Sequence, residues 1–297
     1  MDLTPYNSLV DTDWLEKHLD ADSLRIVEST SLIPNYFEES EENKTKKVSG
    51  REMWEEQHIP GSIFIDILTE VSDDKNGRLM YGMPSAETFS KVMSKKGIGN
   101  DNAIIIYDRN TNMWAARFWW MLRAFGFKNT AVLDGGYSKW IAENKKVDNL
   151  VKNYPPTEFK ATADPELIAD RDRVLRAIEG QSETCLINAL DPDEFQGKPP
   201  IRYGRAGRIP GSKNVPFMQT VDLDTQLYVD QKISAKIFNE VGVGPDKEVI
   251  CYCGGGIAAC STALLLTRLG HTKVSVYDGS LKEWAADPSL PLETGKE

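Results

Sequence analysis

Cysteine is scarce in this 297-residue chain, with only Cys185, Cys251, Cys253 and Cys260. Four in a chain this long are too few for a disulfide scaffold. Cys251 and Cys253 stand two apart, which on a strand places them on one face yet too close for ordinary disulfide geometry; all four are expected as reduced thiols. Long apolar runs are missing too. No stretch reaches the roughly 18 apolar residues of a membrane helix, and the opening MDLTPYNSLVDTDWLEKHLD has neither the basic start nor the apolar core of a signal peptide. A soluble cytoplasmic protein with no membrane partner is expected. Positive charge is in deficit, 35 Lys and Arg against 45 Asp and Glu for a net −10, and no long basic run interrupts it. That argues against a nucleic-acid partner.

What is present is an ordinary globular composition, 40% hydrophobic and 27% charged, able to bury a core. Near 300 residues a single core stops growing, so two domains are expected. The sequence repeats itself accordingly. HIPGSIF from His58 recurs 150 residues later as RIPGSKN from Arg208. NAIIIYDRNTNMWAARFWWMLRAFG from Asn102 runs alongside KEVICYCGGGIAACSTALLLTRLG from Lys247, and AVLDGGYSKW from Ala131 alongside SVYDGSLKEW from Ser275. Between the copies lies DNLVKNYPPTEFKATADP, where Pro155-Pro156 cannot continue a helix.

Within each copy, short β-branched runs such as AIIIYD and EVICYC read as central parallel strands. They alternate with helical stretches that end at a glycine, ARFWWMLRAFG and AACSTALLLTRLG. The pattern predicts an α/β fold, each domain a parallel sheet with helices on both faces. Trp119, Trp120, Trp140 and Trp284 are expected in the core. Ligands of such sheets sit at the carboxyl ends of the strands, which is where Cys253 falls.

Cys253 is followed by Gly254-Gly255-Gly256 at a strand-to-helix turn. Glycine adopts positive φ cheaply, so main-chain N–H groups can be turned toward one spot and favour an anion there, first of all the Cys253 thiolate. A nucleotide P-loop would need Lys-Ser or Lys-Thr after its last glycine, but Ile257-Ala258 follows; Ala259 breaks G-x-G-x-x-G. A cysteine phosphatase would need a guanidinium where Ala258 and Ala259 stand. Cys185, Cys251 and Cys260 lie in apolar strand or helix contexts and read as inert small hydrophobes.

Taken together, HIPGSIFIDI, YDRNTNMWAARFWWMLRAFGFKNTAVLDGGYSKW, GRIPGSKNVPF and YCGGGIAACSTALLLTRLGHTKVSVYDGSLKEWAADPSLPLETG resemble, in order and over nearly the whole chain, the tandem-domain rhodanese sulfurtransferases. That family includes thiosulfate and 3-mercaptopyruvate sulfurtransferases. The resemblance implies a catalytically silent rhodanese-like domain over 1–152 and a catalytic one over 153–297. In the silent copy Asp108 stands where Cys253 stands in the other, with Arg117 as its expected structural partner. By resemblance, Cys253 takes a sulfur from a small donor as a persulfide and passes it to cyanide, a thiol or a protein acceptor. Cys253 and Gly254, Gly255, Gly256, Ile257 and Ala258 form the loop around that sulfur, and neither metal nor organic cofactor is required.

The chain departs from the family at several points. Its loop, Cys-Gly-Gly-Gly-Ile-Ala, lacks both the cations usual in thiosulfate enzymes and, at Gly255, the hydroxyl of mercaptopyruvate enzymes. Asn188 and Leu190 occupy the family's Asp-x-Arg. Arg202, Arg205 and Arg208 are the candidates to bind a donor anion in its place, and His58 matches a family histidine that can face the interdomain cleft. A second reading is a weakly catalytic persulfide carrier or partner-binding module served by a protein sulfur donor. The polar, charge-rich segment 34–57 is expected as a mobile loop.

Overall fold

The computed structural model describes residues 1–32, 48–75, 77, 79, 81–180, 183–244 and 246–296. In chain order the first half contains β1 (Leu9–Val10), α1 (Thr12–His18), β2 (Leu24–Glu28), β3 (Ser31–Leu32), β4 (Val48–Ser49), α2 (Arg51–Glu56), β5 (Ser62–Phe64), α3 (Ala86–Lys95), β6 (Ala103–Tyr107), α4 (Met113–Ala124), β7 (Thr130–Leu133) and α5 (Gly136–Ala142). The second half contains β8 (Ile168–Ala169), α6 (Arg171–Ile178), β9 (Cys185–Asn188), α7 (Pro192–Phe195), β10 (Lys213–Asn214), α8 (Gln231–Glu240), β11 (Val249–Tyr252), α9 (Ala259–Arg268), β12 (Val274–Tyr277) and α10 (Ser280–Trp284). Side chains at the helix starts cap orphan N–H groups: Asp11 accepts from Trp14, Ser85 from Thr88, and Asp230 from Lys232 and Ile233.

Two five-stranded parallel sheets result, in the orders β1-β7-β6-β2-β5 and β10-β9-β11-β12-β8. In both, the middle strand, β6 or β11, is wholly buried, as a parallel strand covered on two faces must be. The α/β architecture of two like units is therefore as the sequence predicts. No helix among the described residues is long and apolar enough to cross a membrane.

The helices that follow the middle strands, α4 and α9, are buried nearly all round, from Met113 to Leu122 and from Ala259 to Leu266. A helix apolar on every face belongs in an interior. Here each lies between its own sheet and the other domain, and the two pack on one another. Trp119, Trp120, Trp140 and Trp284 are all buried, as expected. Part of the polar segment 34–57 departs from expectation. Residues 34–47 lie outside the described residues, but from 48 the chain forms β4 and α2, because Trp54 is buried, stacks on His58 and donates through Nε1 to Ser62 Oγ at 3.0 Å.

The segment joining the two halves is a strap held to the first domain past the expected 152/153 boundary. Arg25 lies 3.9 Å from the centre of the Tyr154 ring, Tyr154 donates its hydroxyl proton to Gly61 O, and the N–H groups of Phe159, Ala161 and Thr162 donate to Ser94 Oγ, Ser90 Oγ and Phe125 O. The buried Phe159 ring packs with Phe89 and Phe127. Phe159→Ala is expected to cost about 3 kcal/mol, read as a lower urea midpoint; a midpoint within error of wild type would mean that the strap does not contribute to the core.

Candidate active site

Strand β11 ends at Tyr252, whose hydroxyl accepts the Ile209 N–H at 3.1 Å and donates to Ser212 Oγ at 2.7 Å. This fixes the Ile-Pro-Gly turn beneath the strand end. Cys253 follows and is 2% exposed. Its N–H donates to Ser280 Oγ at 3.1 Å, its carbonyl accepts Leu281 N–H at 3.1 Å, and the Gly254 carbonyl accepts Lys282 N–H at 2.9 Å. The Gly256 carbonyl is held from the other side, by Arg117 Nη1 at 3.1 Å and the Cys260 thiol at 3.2 Å.

These anchors dictate where the loop's donors point. The peptides here are trans, so each N–H is directed opposite to the carbonyl of its own peptide. With the carbonyls of Cys253, Gly254 and Gly256 turned outward to partners, the N–H groups of Gly254, Gly255 and Ile257 are turned away from those partners. Among the described residues, no acceptor takes the N–H of Gly254, Gly255, Gly256, Ile257 or Ala258. Glycine is required at Gly256, which at φ +76° would place a Cβ 2.8 Å from Asp278 O, while a Cβ on Gly254 would displace the Tyr203 ring, 1.9 Å away.

The first domain presents the same loop with a carboxylate in it. Asp108 follows β6, its carbonyl accepts Tyr137 N–H at 3.0 Å as that of Cys253 accepts Leu281, and its carboxylate accepts four main-chain N–H groups, those of Asn110, Asn112, Trp114 and Ala115, at 2.8 to 3.1 Å. Burial pushes the Asp108 carboxyl up to about 6, against the pull of those donors. Burial likewise pushes the Cys260 thiol up to about 12 and that of Cys251 well above its ordinary range, which leaves both as the inert thiols that the sequence suggests.

Arg117 is a correction. Its expected partner, Asp108, has its acceptor sites filled by main-chain donors. The Arg117 side chain instead crosses the domain interface, where Nη2 donates to Asp278 Oδ1 at 2.7 Å and to Tyr81 O at 3.0 Å. His58 is fully buried, with Nδ1 2.6 Å from Trp54 O and Nε2 3.4 Å from Asp148 Oδ1. It joins the turn to the strap instead of facing the cleft. Arg208 occupies the matching place in the second domain, over the Phe195 ring, donating to Gly295 O at 2.8 Å beside Glu293. Arg205 gives its donors to the carbonyls of Trp284, Ala285, Asp287 and Leu290, and Arg202 pairs with Glu194 at 2.8 Å. None of these hydrogen bonds reaches the Cys253 loop.

Sequence reasoning passed over Ser280, although the repeat carries the signal. YDGS in the second copy stands against LDGG in the first, so Ser280 matches Gly136. Both have positive φ, +53° at Gly136 and +48° at Ser280. A serine there costs about 1 kcal/mol of strain, and its hydroxyl is what meets the Cys253 N–H. Ser280→Gly is expected to leave unfolding free energy within about 1 kcal/mol of wild type while slowing alkylation of Cys253 by iodoacetamide about tenfold; an unchanged alkylation rate would reduce Ser280 to a structural residue. The Asp108 carboxyl gives a pH signature. Its folded value lies above the ordinary 3.8, so the linked stability is fully present below about pH 4 and is lost as pH rises through about 6. Urea melts of Asp108→Asn and wild type should therefore diverge in the variant's favour as pH rises across that window, and a flat difference would show that the four donors compensate fully for burial.

Comparison with known proteins agrees with this geometry. A model of the rhodanese-like domain matches twice, over residues 11–143 and 170–287. A 3-mercaptopyruvate sulfurtransferase of Escherichia coli K12 is 32% identical over 97% of this chain and 98% of its own, and the mitochondrial thiosulfate/3-mercaptopyruvate sulfurtransferase 1 of Arabidopsis thaliana is 32% identical over 96% of this chain and 78% of its own. The crystal structure of the 3-mercaptopyruvate sulfotransferase SseA from Escherichia coli superposes with a TM-score of 0.80 at 29% identity, over 92% of this chain and 98% of that one. With two matched domains on one strand-loop-helix scaffold, the chain belongs to the rhodanese family and is a tandem-domain sulfurtransferase.

Proposed function

We propose that Cys253 is the nucleophile of this sulfurtransferase and carries the moving sulfur as a persulfide, the first domain being silent and the second catalytic. The observation that supports this most directly is the pair of matched loops. One receives the Asp108 carboxylate on four main-chain N–H groups. The other offers uncommitted N–H groups from Gly254 to Ala258 beside a thiol, a setting suited to negative charge on sulfur.

In the first half-reaction the Cys253 thiolate attacks the outer sulfur of the donor. With thiosulfate the S–S bond breaks and sulfite leaves with the electron pair. With 3-mercaptopyruvate the C–S bond breaks, and pyruvate leaves as its enolate and takes up a proton. The acceptor, cyanide, a thiol or a protein thiol, then attacks the outer sulfur of the persulfide and releases the Cys253 thiolate, a ping-pong sequence. None of these steps needs a metal or organic cofactor. Asp108 cannot carry a persulfide, so the first domain serves as a wall. The four free thiols suit a reducing compartment, and we place the reaction in the cytoplasm.

With Arg202, Arg205 and Arg208 held by protein acceptors, recognition of the donor falls to the loop N–H groups. The burial of Cys253, 2% exposed, favours, as a second reading, a protein-borne persulfide whose docking uncovers the thiol. Intact mass after brief exposure to thiosulfate or 3-mercaptopyruvate separates the readings. Gain of one sulfur by wild type and none by Cys253→Ser is the expected result, with the faster-loading donor as the substrate; no gain from either would shift the assignment to a protein donor.

A further inference from the structure

We propose that Arg117, supplied by the silent domain, is a positioning residue for the Cys253 loop, so that the catalytic site is completed across the domain interface. The inference rests on the Cys253 reading above. Arg117 lies in the middle of α4, fully buried, and its two Nη atoms bond three elements at once: the carboxylate of Asp278 after β12, the carbonyl of Tyr81 in its own domain, and the carbonyl of Gly256 inside the loop. Asp278 is gripped from the first domain a second time, since its Oδ2 accepts Met83 N–H at 2.7 Å.

If Arg117 served only to hold the domains together, Asp278 and Tyr81 would suffice as acceptors. The third bond goes to the one loop peptide with a positive-φ glycine, Gly256 at +76°. Holding that carbonyl outward turns the N–H of the same trans peptide, on Ile257, to the opposite side. The loop has no lysine or arginine of its own, so the direction of its N–H dipoles is its means of stabilising an anion on sulfur, and Arg117 sets that direction for one of them. The neighbouring Asp278 compensates the guanidinium's charge, so the effect of Arg117 on the sulfur is one of geometry. A lysine keeps the charge but has no planar fork with which to span Asp278, Tyr81 O and Gly256 O together.

The test is single-turnover uptake of sulfur at Cys253 from saturating thiosulfate or 3-mercaptopyruvate, followed by intact mass, with steady-state kinetics and thermal melts on the same samples. Arg117→Lys is expected to melt within a few degrees of wild type, to load sulfur about 10- to 100-fold more slowly, and to keep KM within about threefold of wild type. A folded variant that loads at the wild-type rate overturns the inference, and so does a change confined to KM, which would make Arg117 a donor-binding group. Should Arg117→Lys fail to fold, the charge-free pair Arg117→Met with Asp278→Asn is read in the same way; failure of both to fold overturns positioning in favour of a purely structural role. Loading of wild type and Cys253→Ser alike would sink the Cys253 reading itself, and absence of loading in wild type would overturn the small-donor reading on which this test rests, whereas equal loading by wild type and Arg117 variant sinks only the role given to Arg117.

Discussion

A guanidinium cut off from water must find an acceptor for the donors it turns inward, and Arg117 finds them in both domains. A charge buried this deeply persists only when paired and hydrogen-bonded. Asp278 supplies the pair at 2.7 Å, the carbonyls of Tyr81 and Gly256 supply the rest, and only Nε is left without a bond. Meeting that requirement docks α4 against the second domain, fixes the segment from Tyr81 to Met83 beside Asp278, and sets the peptide between Gly256 and Ile257. Domain docking and loop geometry are thus solved by one set of contacts.

The duplication shows which parts of the scaffold are architectural and which are particular to the site. Both halves pin their Ile-Pro-Gly turn with a tyrosine from the middle strand, Tyr107 on Ile59 N–H and Tyr252 on Ile209 N–H. Each also tethers the residue before that turn to the segment following its last helix, His58 to Asp148 and Arg208 to Glu293. Each half accepts a main-chain N–H from the other on the aspartate of its Asp-Gly pair, Asp134 from Tyr228 and Asp278 from Met83. Three differences break the symmetry: Asp108 against Cys253, Gly136 against Ser280, and a buried guanidinium at Asp278. All three converge on the second loop.

Much of this was legible in the residues, and the exceptions have a common cause. The repeat, the alternation of strand and helix, and the placement of Cys253 at a middle strand's carboxyl end follow from patterns a few residues long, which a parallel sheet translates directly into position. The buried Trp119 and Trp120 follow from a helix apolar on nearly every face. What the residues alone left undecided was the partner of each charge. Arg205 and Arg208 look the same in sequence whether their guanidinia lie in solvent, bind a donor or, as here, satisfy main-chain carbonyls from the chain's last helix and C-terminal segment. The resemblance pairs Arg117 with Asp108, but helix geometry carries its side chain to the opposite domain. Nothing local to His58 signals that the segment at Asp148 covers it.

A loop without a lysine or arginine of its own can still stabilise an anion if water is kept out, because a fixed N–H dipole gains strength as the surrounding dielectric falls. The contacts around Cys253 serve that end. Gly254 admits the Tyr203 ring to within 1.9 Å of where a Cβ would stand. Leu190 is buried with its N–H held by Asn188 Oδ1. Arg117, Arg202, Arg205 and Arg208 are spent on carbonyls and carboxylates. On the reading that Cys253 carries the sulfur, such a site would stabilise the charge that forms on its own sulfur far better than a charge brought in by a donor, since the first meets dipoles already in place while the second must shed its water to enter. On that reading, selectivity turns on how much charge a donor has to bury in delivering its sulfur.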